Sequence, residues 1–322
     1  MSKKIYDVVA LGELLIDFTQ NGTSAQENQL YEANPGGAPC NVLAMLTKLG
    51  KKTAFIGKVG DDQFGYTLKA ALDEVGINSA NLIFDKEVHT TLAFVHTFEN
   101  GDRDFSFYRR PGADMMLSEE DVSEDLIKSS KIFHFGTLSL TDEKVKEATK
   151  KAITIAKENK LIITFDPNLR EPLWTSLNLA KEQMLFGMEQ CDILKISEEE
   201  LEFITGVKDI YAAAELLKSK YSIPLILVTL GQVGSIAFYK NLKVEKPAFL
   251  QKNTIETTGA GDTFFGCTIN YVLEHGLDNL SEDNLAEMLT FANAAASLIT
   301  TKKGALRVMP DKQEVLNLIK CN

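Results

Sequence analysis

The chain of 322 residues is poor in the side chains that build metal centres and disulfide frameworks. Its four cysteines, Cys40, Cys191, Cys267 and Cys321, include no CxxC pair and join no Cys/His cluster with metal-ligand spacing. This excludes a zinc module and a disulfide-stapled scaffold. Cys40 and Cys267 sit among small and apolar residues and read as buried thiols. Four histidines, His89, His96, His134 and His275, form no constellation, and His134 reads as core or near-core packing. No apolar run approaches the roughly 18 residues that would suggest a membrane span. The start, Met1-Ser2-Lys3-Lys4-Ile5, has no h-region and no cleavage site, so a cytoplasmic location is expected. Positive charge is also short, 34 Lys+Arg against 45 Asp+Glu, for a net charge of −11. Such a surface repels phosphate backbones and anionic headgroups, so neither nucleic acid nor a membrane is expected as a partner. Neither GxGxxG nor a Walker loop is present, and there is no internal repeat, low-complexity tract or disordered linker.

What the chain has is apolar residues, 44% of the total, enough for a large core. They are laid out as strand-like runs alternating with amphipathic helical stretches. Val8–Leu11, Thr53–Gly57, Lys131–Phe135, Leu161–Phe165, Ile193–Ile196 and Leu225–Thr229 read as strands, with helices over about Asn41–Lys48, Lys144–Glu158 and Phe291–Ile299. Near-continuous apolar strands between helices indicate an α/β fold whose parallel sheet is covered on both faces. Ligands on such sheets bind at the carboxyl ends of the strands, so the residues just after each strand carry the most information. One segment breaks the pattern. Two β-prone runs, Thr91–Phe98 and Asp104–Tyr108, flank Glu99-Asn100-Gly101-Asp102, a hairpin signal. With Phe18–Asn34, also read as extended, they suggest a small antiparallel sheet outside the main one, either a plain edge hairpin or a lid that excludes water from a site.

The strongest chemical signal is Thr257-Thr258-Gly259-Ala260-Gly261-Asp262-Thr263-Phe264-Phe265-Gly266. Three small residues let backbone N–H groups face an anion, the apolar run after them reads as a buried helix, and the helix start adds its positive dipole end. Asp262 then stands where a transferring phosphoryl group and an attacking hydroxyl would meet. A tight packing loop is the plainer reading of the same residues. Asp17, in Gly12-Glu13-Leu14-Leu15-Ile16-Asp17, is either a hydroxyl acceptor or a turn aspartate. Gly36 and Gly37 allow close approach of a ligand, and Asn41, at a helix start, offers a polyol both a donor and an acceptor, or simply caps the helix. Arg170, in Phe165-Asp166-Pro167-Asn168-Leu169-Arg170, could bring positive charge to a phosphoryl group, with Asp166 and Asn168 orienting it, or could pair with Asp166. Ser197 and Glu200 have capping-box spacing; Glu200 could also hold Mg²⁺ through water. Thr229-Leu230-Gly231-Gln232-Val233-Gly234 suits a nucleotide phosphate or ribose close to the backbone.

In this order and over the whole length, these pieces resemble the PfkB (ribokinase-like) family of carbohydrate kinases. Gly36-Gly37-x-Pro39-x-Asn41, with Gly50 and Gly60, resembles the N-terminal signature, and Thr257–Gly266 the C-terminal one. Phe165–Arg170 and Phe107-Tyr108-Arg109-Arg110-Pro111-Gly112-Ala113-Asp114 are most similar to fructokinases. The resemblance implies one ribokinase-like domain over residues 1–322: a three-layer, doubly wound, mostly parallel sheet with a β-sheet lid from about 13–35 and 88–111. It implies ATP-dependent phosphorylation of a sugar with Mg²⁺. Asp262 would be the general base, and the N–H groups of Gly259, Ala260 and Gly261 the anion hole. Asp17, Gly36, Gly37, Asn41, Arg109 and Arg170 would bind sugar. Lys195, Thr229, Gly231, Gly234, Asn293 and Gly304 would bind ATP. Two departures stand out: Ser197 and Glu256 occupy positions where many relatives have Asn and Asp. Glu256 can still serve a monovalent cation such as K⁺ through its carbonyl and carboxylate. The substrate expected is fructose; 2-keto-3-deoxygluconate, ribose or aminoimidazole riboside are alternatives, an acidic one needing a lid cation from Arg109 or Arg110. A non-catalytic sugar-binding regulator is the reading from another class. Phe94, Phe98, Phe105 and Phe107, expected exposed on the lid, suggest a homodimer through it.

Overall fold

The computed structural model describes residues 4–97 and 103–321. Thirteen strands are described: β1 (Tyr6–Leu11), β2 (Leu15–Thr23), β3 (Gln29–Gly36), β4 (Thr53–Gly60), β5 (Asn78–Asp85), β6 (Leu92–Thr97), β7 (Arg103–Tyr108), β8 (Ser130–Gly136), β9 (Ile162–Asp166), β10 (Ile193–Ser197), β11 (Leu225–Thr229), β12 (Gly234–Tyr239) and β13 (Leu242–Pro247). The helices are α1 (Ala38–Lys48), α2 (Gln63–Val75), α3 (Glu124–Lys128), α4 (Glu143–Glu158), α5 (Leu177–Gln190), α6 (Glu198–Thr205), α7 (Ile210–Tyr221), α8 (Ala260–His275), α9 (Glu282–Ile299) and α10 (Lys312–Cys321).

Nine strands form the main sheet in the order β13-β12-β11-β10-β9-β8-β1-β4-β5. From β11 to β5 every pairing is parallel; β12 and β13 add an antiparallel edge. The apolar runs become strands because both of their faces are covered: Val8, Val9, Ala10 and Leu11 are all fully buried, two per face. One core cluster lies under α1, α2, α8 and α9, the other under α3 to α7, with each fully buried Val or Leu contributing about 1.5–3 kcal/mol. Local signals set the helix ends. Asp62, Asp142, Ser176 and Asp209 each accept a first-turn N–H, and Gly76 and Gly206 close α2 and α6 in the left-handed conformation. Cys40 and Cys267 are buried free thiols, as expected. His134 is buried against Thr164 and the edge of Phe265, and burial pushes its pKa down to about 3, so it is core packing.

The chain leaves β1 for β4 and β5 on one side and for β8 to β11 on the other. The carboxyl ends of β1 and β8 therefore border a topological switch point, where open α/β sheets form a crevice.

A second sheet, β3-β2-β6-β7, stands over that crevice. It occupies the segments expected for the lid, but it is mixed, because β2 and β6 run parallel. A hairpin reading of the two segments could not see this: β2 and β6 come from separate excursions out of the core and enter side by side. The turn at Glu99–Asp102 lies outside the described residues. Asp17, Ala93 and Phe107 share one row of the sheet, and Phe18 and Phe94 the next, so the two rows face opposite sides. Phe18 stacks on Phe94 at 4.8 Å between ring centres and meets the edge of Phe64 on α2, which ties the lid to the core.

Candidate active site

At the switch point lies a cavity of about 670 Å³. The ends of β1, β8 and β9 supply Glu13, Leu138 and Asn168–Arg170; the lid supplies Leu15, Asp17 and Phe107; α1 supplies Asn41, and the loop into α8 supplies Thr257–Gly259, Gly261 and Asp262.

Gly259 starts α8 with φ 78°, a left-handed conformation that turns the loop sharply into the helix. The Ala260 N–H is donated to the Thr257 carbonyl, and Ala260 does not line the cavity, whereas Gly259 and Gly261 do. The Ala260 N–H thus closes the turn that shapes the loop. Asp262, in the first turn of α8, is buried, and its Oδ2 accepts a 2.8 Å hydrogen bond from Asn41 Nδ2 across 221 positions of sequence. Burial raises the Asp262 pKa above the usual carboxylate range, while Asn41, Lys195 and Arg170 oppose the rise. A helix start favours an anion, but here desolvation dominates. The carboxylate is thereby poised to take a proton. Asn41 Oδ1 is buried without a partner, an acceptor open to a hydroxyl donor.

Asp17 reaches in from the lid. Burial pushes its pKa up to about 7 against the opposing pull of Arg170, with Glu256 and Asp262 adding repulsion. Gly36 lies beside it, and a Cβ at Gly36 would overlap Asp17 Oδ2. Gly37, at φ 123°, could carry no side chain without overlapping the Glu13 carbonyl. Arg170 gives Nη1–H to the Leu169 carbonyl and, among the described residues, has no carboxylate within ion-pair distance, so its charge serves the cavity as a whole. Glu13 is a site residue that the sequence reading does not single out. It lies just beyond Gly12 at the end of β1, an informative position on such a sheet, but Asp17 is the more conspicuous carboxylate of that stretch. Glu13 is 4% exposed, lines the cavity and accepts the Ala38 N–H at 2.9 Å. Burial pushes its pKa up to about 7.

The pairing of Asp166 with Arg170 is not found. Asp166 pairs instead with Lys195, whose Nζ lies 3.2 Å from Oδ1 and 3.1 Å from Oδ2. The parallel strands β9 and β10 put the two side by side, which linear spacing does not reveal. Lys195 also lies next to Gly261 of the anion loop. Glu200 forms the capping box with Ser197; its Oε2 accepts the Ser197 N–H, and its Oε1 accepts the Leu169 N–H at 2.7 Å.

The structure places other expected residues elsewhere. Arg109 is buried below the lid: it gives Nε–H to Asp114, Nη1–H to Thr141 and Nη2–H to the Leu138 carbonyl, and it does not line the cavity. The sugar contact expected of it is therefore replaced by an ion pair that anchors the end of β7 to the core. Asn293 ties α9 to the sheet edge through Ser235 and the Lys246 and Pro247 carbonyls, so it does not present its amide to a ligand. Thr229 ends β11 beside Ser197, Gly231 belongs to the β11–β12 turn, and Gly234 opens β12. The Gly304 N–H is held by Glu256 Oε1 at 2.6 Å, and Gly304 lies close to Asn34 of the lid. Among the described residues no group of three or more His, Cys, Asp or Glu could cage a metal, and no helix is long and apolar enough to cross a membrane.

Residues 6–312 match the family model described as pfkB family carbohydrate kinase. A probable fructokinase-2 of Arabidopsis thaliana is 40% identical over 315 residues, 97% of this chain and 95% of that protein. Among solved structures, fructokinase from Vibrio cholerae O395 in its fructose, ADP and calcium ion bound form superposes with TM-score 0.87 at 29% identity, covering 98% of this chain and 99% of the other. Fructokinase from Xylella fastidiosa with bound ATP gives TM-score 0.88 at 28% identity, covering 98% of each chain.

Proposed function

The chain belongs to the pfkB family of carbohydrate kinases, and on that premise we propose that it is an ATP-dependent fructokinase, converting fructose and ATP to fructose 6-phosphate and ADP. One observation carries the chemistry: Asp262, held by Asn41 and with a raised pKa, stands in the first turn of α8 beside Gly259 and Gly261, in the same cavity as Asp17 and Arg170. Asp262 takes the proton of the sugar 6-hydroxyl as the oxygen–phosphorus bond forms and the bond to ADP breaks. Gly259 and Gly261 N–H groups and the α8 dipole stabilise charge on the phosphoryl oxygens. Asp17, the unpaired Asn41 Oδ1 and the Gly36-Gly37 backbone bind the other hydroxyls.

A neutral sugar is favoured over an acid. Asp17, Glu13 and Asp262 surround the cavity, Arg109 is committed to Asp114, and Arg110 lines the neighbouring surface instead. Of the two cations that line the cavity, Lys195 is paired with Asp166, and Arg170 stands alone against the three carboxylates. ATP lies toward Gly231, next to the exposed apolar side chain of Val233. Glu200 would hold Mg²⁺ through water, in keeping with an ion that keeps most of its own hydration, and the bound ion would neutralise phosphate charge. Both Glu200 oxygens already accept a backbone N–H, which leaves lone pairs for water. A K⁺ ion at Glu256 belongs to the same reading. So do a cytoplasmic location, where ATP is supplied and the free thiols stay reduced, and a homodimer through the outer lid face. Phe94 is half-buried on Phe18, and Phe107 faces the cavity, so that outer face rests on Tyr31, Phe94 and Tyr108. Phe98 and the side chain of Phe105 lie outside the described residues.

The test is an ADP-coupled assay with Mg²⁺ over fructose, glucose, mannose, ribose, aminoimidazole riboside and 2-keto-3-deoxygluconate, with and without K⁺. Selective turnover of fructose is expected. Preference for the acid or a riboside overturns the substrate, and sugar binding without turnover overturns catalysis.

A further inference from the structure

We propose that Glu13 is a positioning residue for the sugar half of the site, capping helix α1 from a distant segment and so fixing Asn41 against Asp262. The proposal rests on the reading of Asp262 as the base. Helix α1 cannot cap itself. Its N-cap is Gly37, with no side-chain cap, and its φ of 123° together with the overlap of any Cβ with the Glu13 carbonyl excludes Ser, Asp or Asn there. Pro39 has no N–H to offer, and the Asn41 N–H goes to the Gly37 carbonyl. Of the two donors that remain, Ala38 and Cys40, the Ala38 N–H is met from elsewhere: Glu13 Oε1, 25 positions earlier, accepts it at 2.9 Å.

The chain of contacts is short. Glu13 holds the first residue of α1, and the first turn of α1 holds Asn41, whose Nδ2 donates to Asp262 Oδ2 at 2.8 Å. Directly before that turn stand Gly36 and Gly37, beside Asp17 and the Glu13 backbone. The Glu13 side chain lines the same cavity without replacing any of these groups. A negative group at a helix start also gains from the dipole.

Glu13→Ala and Glu13→Gln in the full chain test this, with steady-state kinetics for the best-turned-over sugar and for ATP, and thermal melting. For alanine, kcat/KM for the sugar is expected to fall by about tenfold, through a raised KM and a lowered kcat, the scale of one lost helix cap, with the ATP KM within about twofold of wild type. The glutamine amide oxygen can accept the same N–H, so Glu13→Gln is expected to recover most of both losses. Should the alanine variant not fold, Glu13→Asp, one methylene short, is compared with glutamine in its place. An alanine variant with wild-type sugar KM and kcat overturns the proposal, as does a glutamine variant as poor as alanine, or an ATP KM that shifts as far as the sugar KM. Asp262→Asn, run alongside, separates the two ideas. If it keeps turnover, the reading of the site has failed; if it is inactive while Glu13→Ala is unharmed, only the role of Glu13 has.

Discussion

The two ends of the crevice are built differently. At the end assigned to the sugar, Asp17, Asn41, Arg170 and Asp262 come from four separate segments and meet in one cavity, with Asp262 already held by Asn41. At the end assigned to ATP, Asn293 is locked into the sheet edge, Gly231 sits on an open turn where an added methyl would meet nothing within 4 Å, and Val233 is 70% exposed. Hydroxyl recognition needs directed polar groups fixed before the substrate arrives, because each misplaced donor or acceptor is a lost hydrogen bond. A flat base and a phosphate chain can be met by apolar surface, backbone N–H groups and a helix dipole. The first kind of site requires the tertiary fold to gather side chains, and the second can be made from one loop and one turn.

The sharpest way to break this contrast is Asp262→Asn. Turnover should fall by about two to four decades, while sugar and ATP binding measured by calorimetry change little. Retained turnover would mean that the preassembled end does not contain the base.

Next in size is a paired glycine test. Gly36→Ala drives a methyl onto the Asp17 carboxylate. The sugar KM should rise by about tenfold or more, the scale of a disturbed hydrogen bond to a charged group, with the ATP KM unchanged. Gly231→Ala meets no neighbour but keeps a left-handed φ of 54°, a strain of roughly 1–2 kcal/mol. It should raise only the ATP KM, by a few fold. Equal effects of both variants on both substrates would erase the distinction between the ends.

The smallest effect concerns stability against pH. Asp17, Glu13 and Asp166 are each pushed up to about 7 by burial, whereas unfolded carboxylates titrate near 4. Between those values the native state binds more protons than the unfolded chain, so these groups make stability fall as pH rises from about 4 to about 7, then level off. Asp17→Asn removes one of them. Its melting temperature should exceed that of wild type at pH 8 by more than at pH 5, although its activity is lost. A gap that is constant or reversed between the two pH values would show that the cavity does not desolvate Asp17.

Much of this site was legible because its signals are local. Gly259-Ala260-Gly261-Asp262 announces a loop and a helix start, and both form. Ser197 and Glu200 announce a capping box, and it forms. The apolar runs announce strands, and each becomes one. The departures have a common cause. For Arg109, Asn293 and Asp166 the sequence offers only the chemistry of the side chain, but what such a side chain does depends on which partner the fold brings close. Arg109 meets Asp114, Asn293 meets Ser235, and Asp166 meets Lys195. Glu13 stays inconspicuous for the converse reason: its partner, the Ala38 N–H, is a backbone group invisible to residue chemistry.

The sequence by itself determined the alternation of strands and helices, the loop that opens α8 and the family to which the chain belongs, because periodicity, caps and glycine-rich turns act over a few residues. Only the tertiary structure decided that Asn41 holds Asp262, that β2 and β6 run parallel in the lid, and that Glu13 and Asp17 lose water in one cavity. Those outcomes depend on desolvation and on contacts between segments far apart in the chain, which no local pattern encodes.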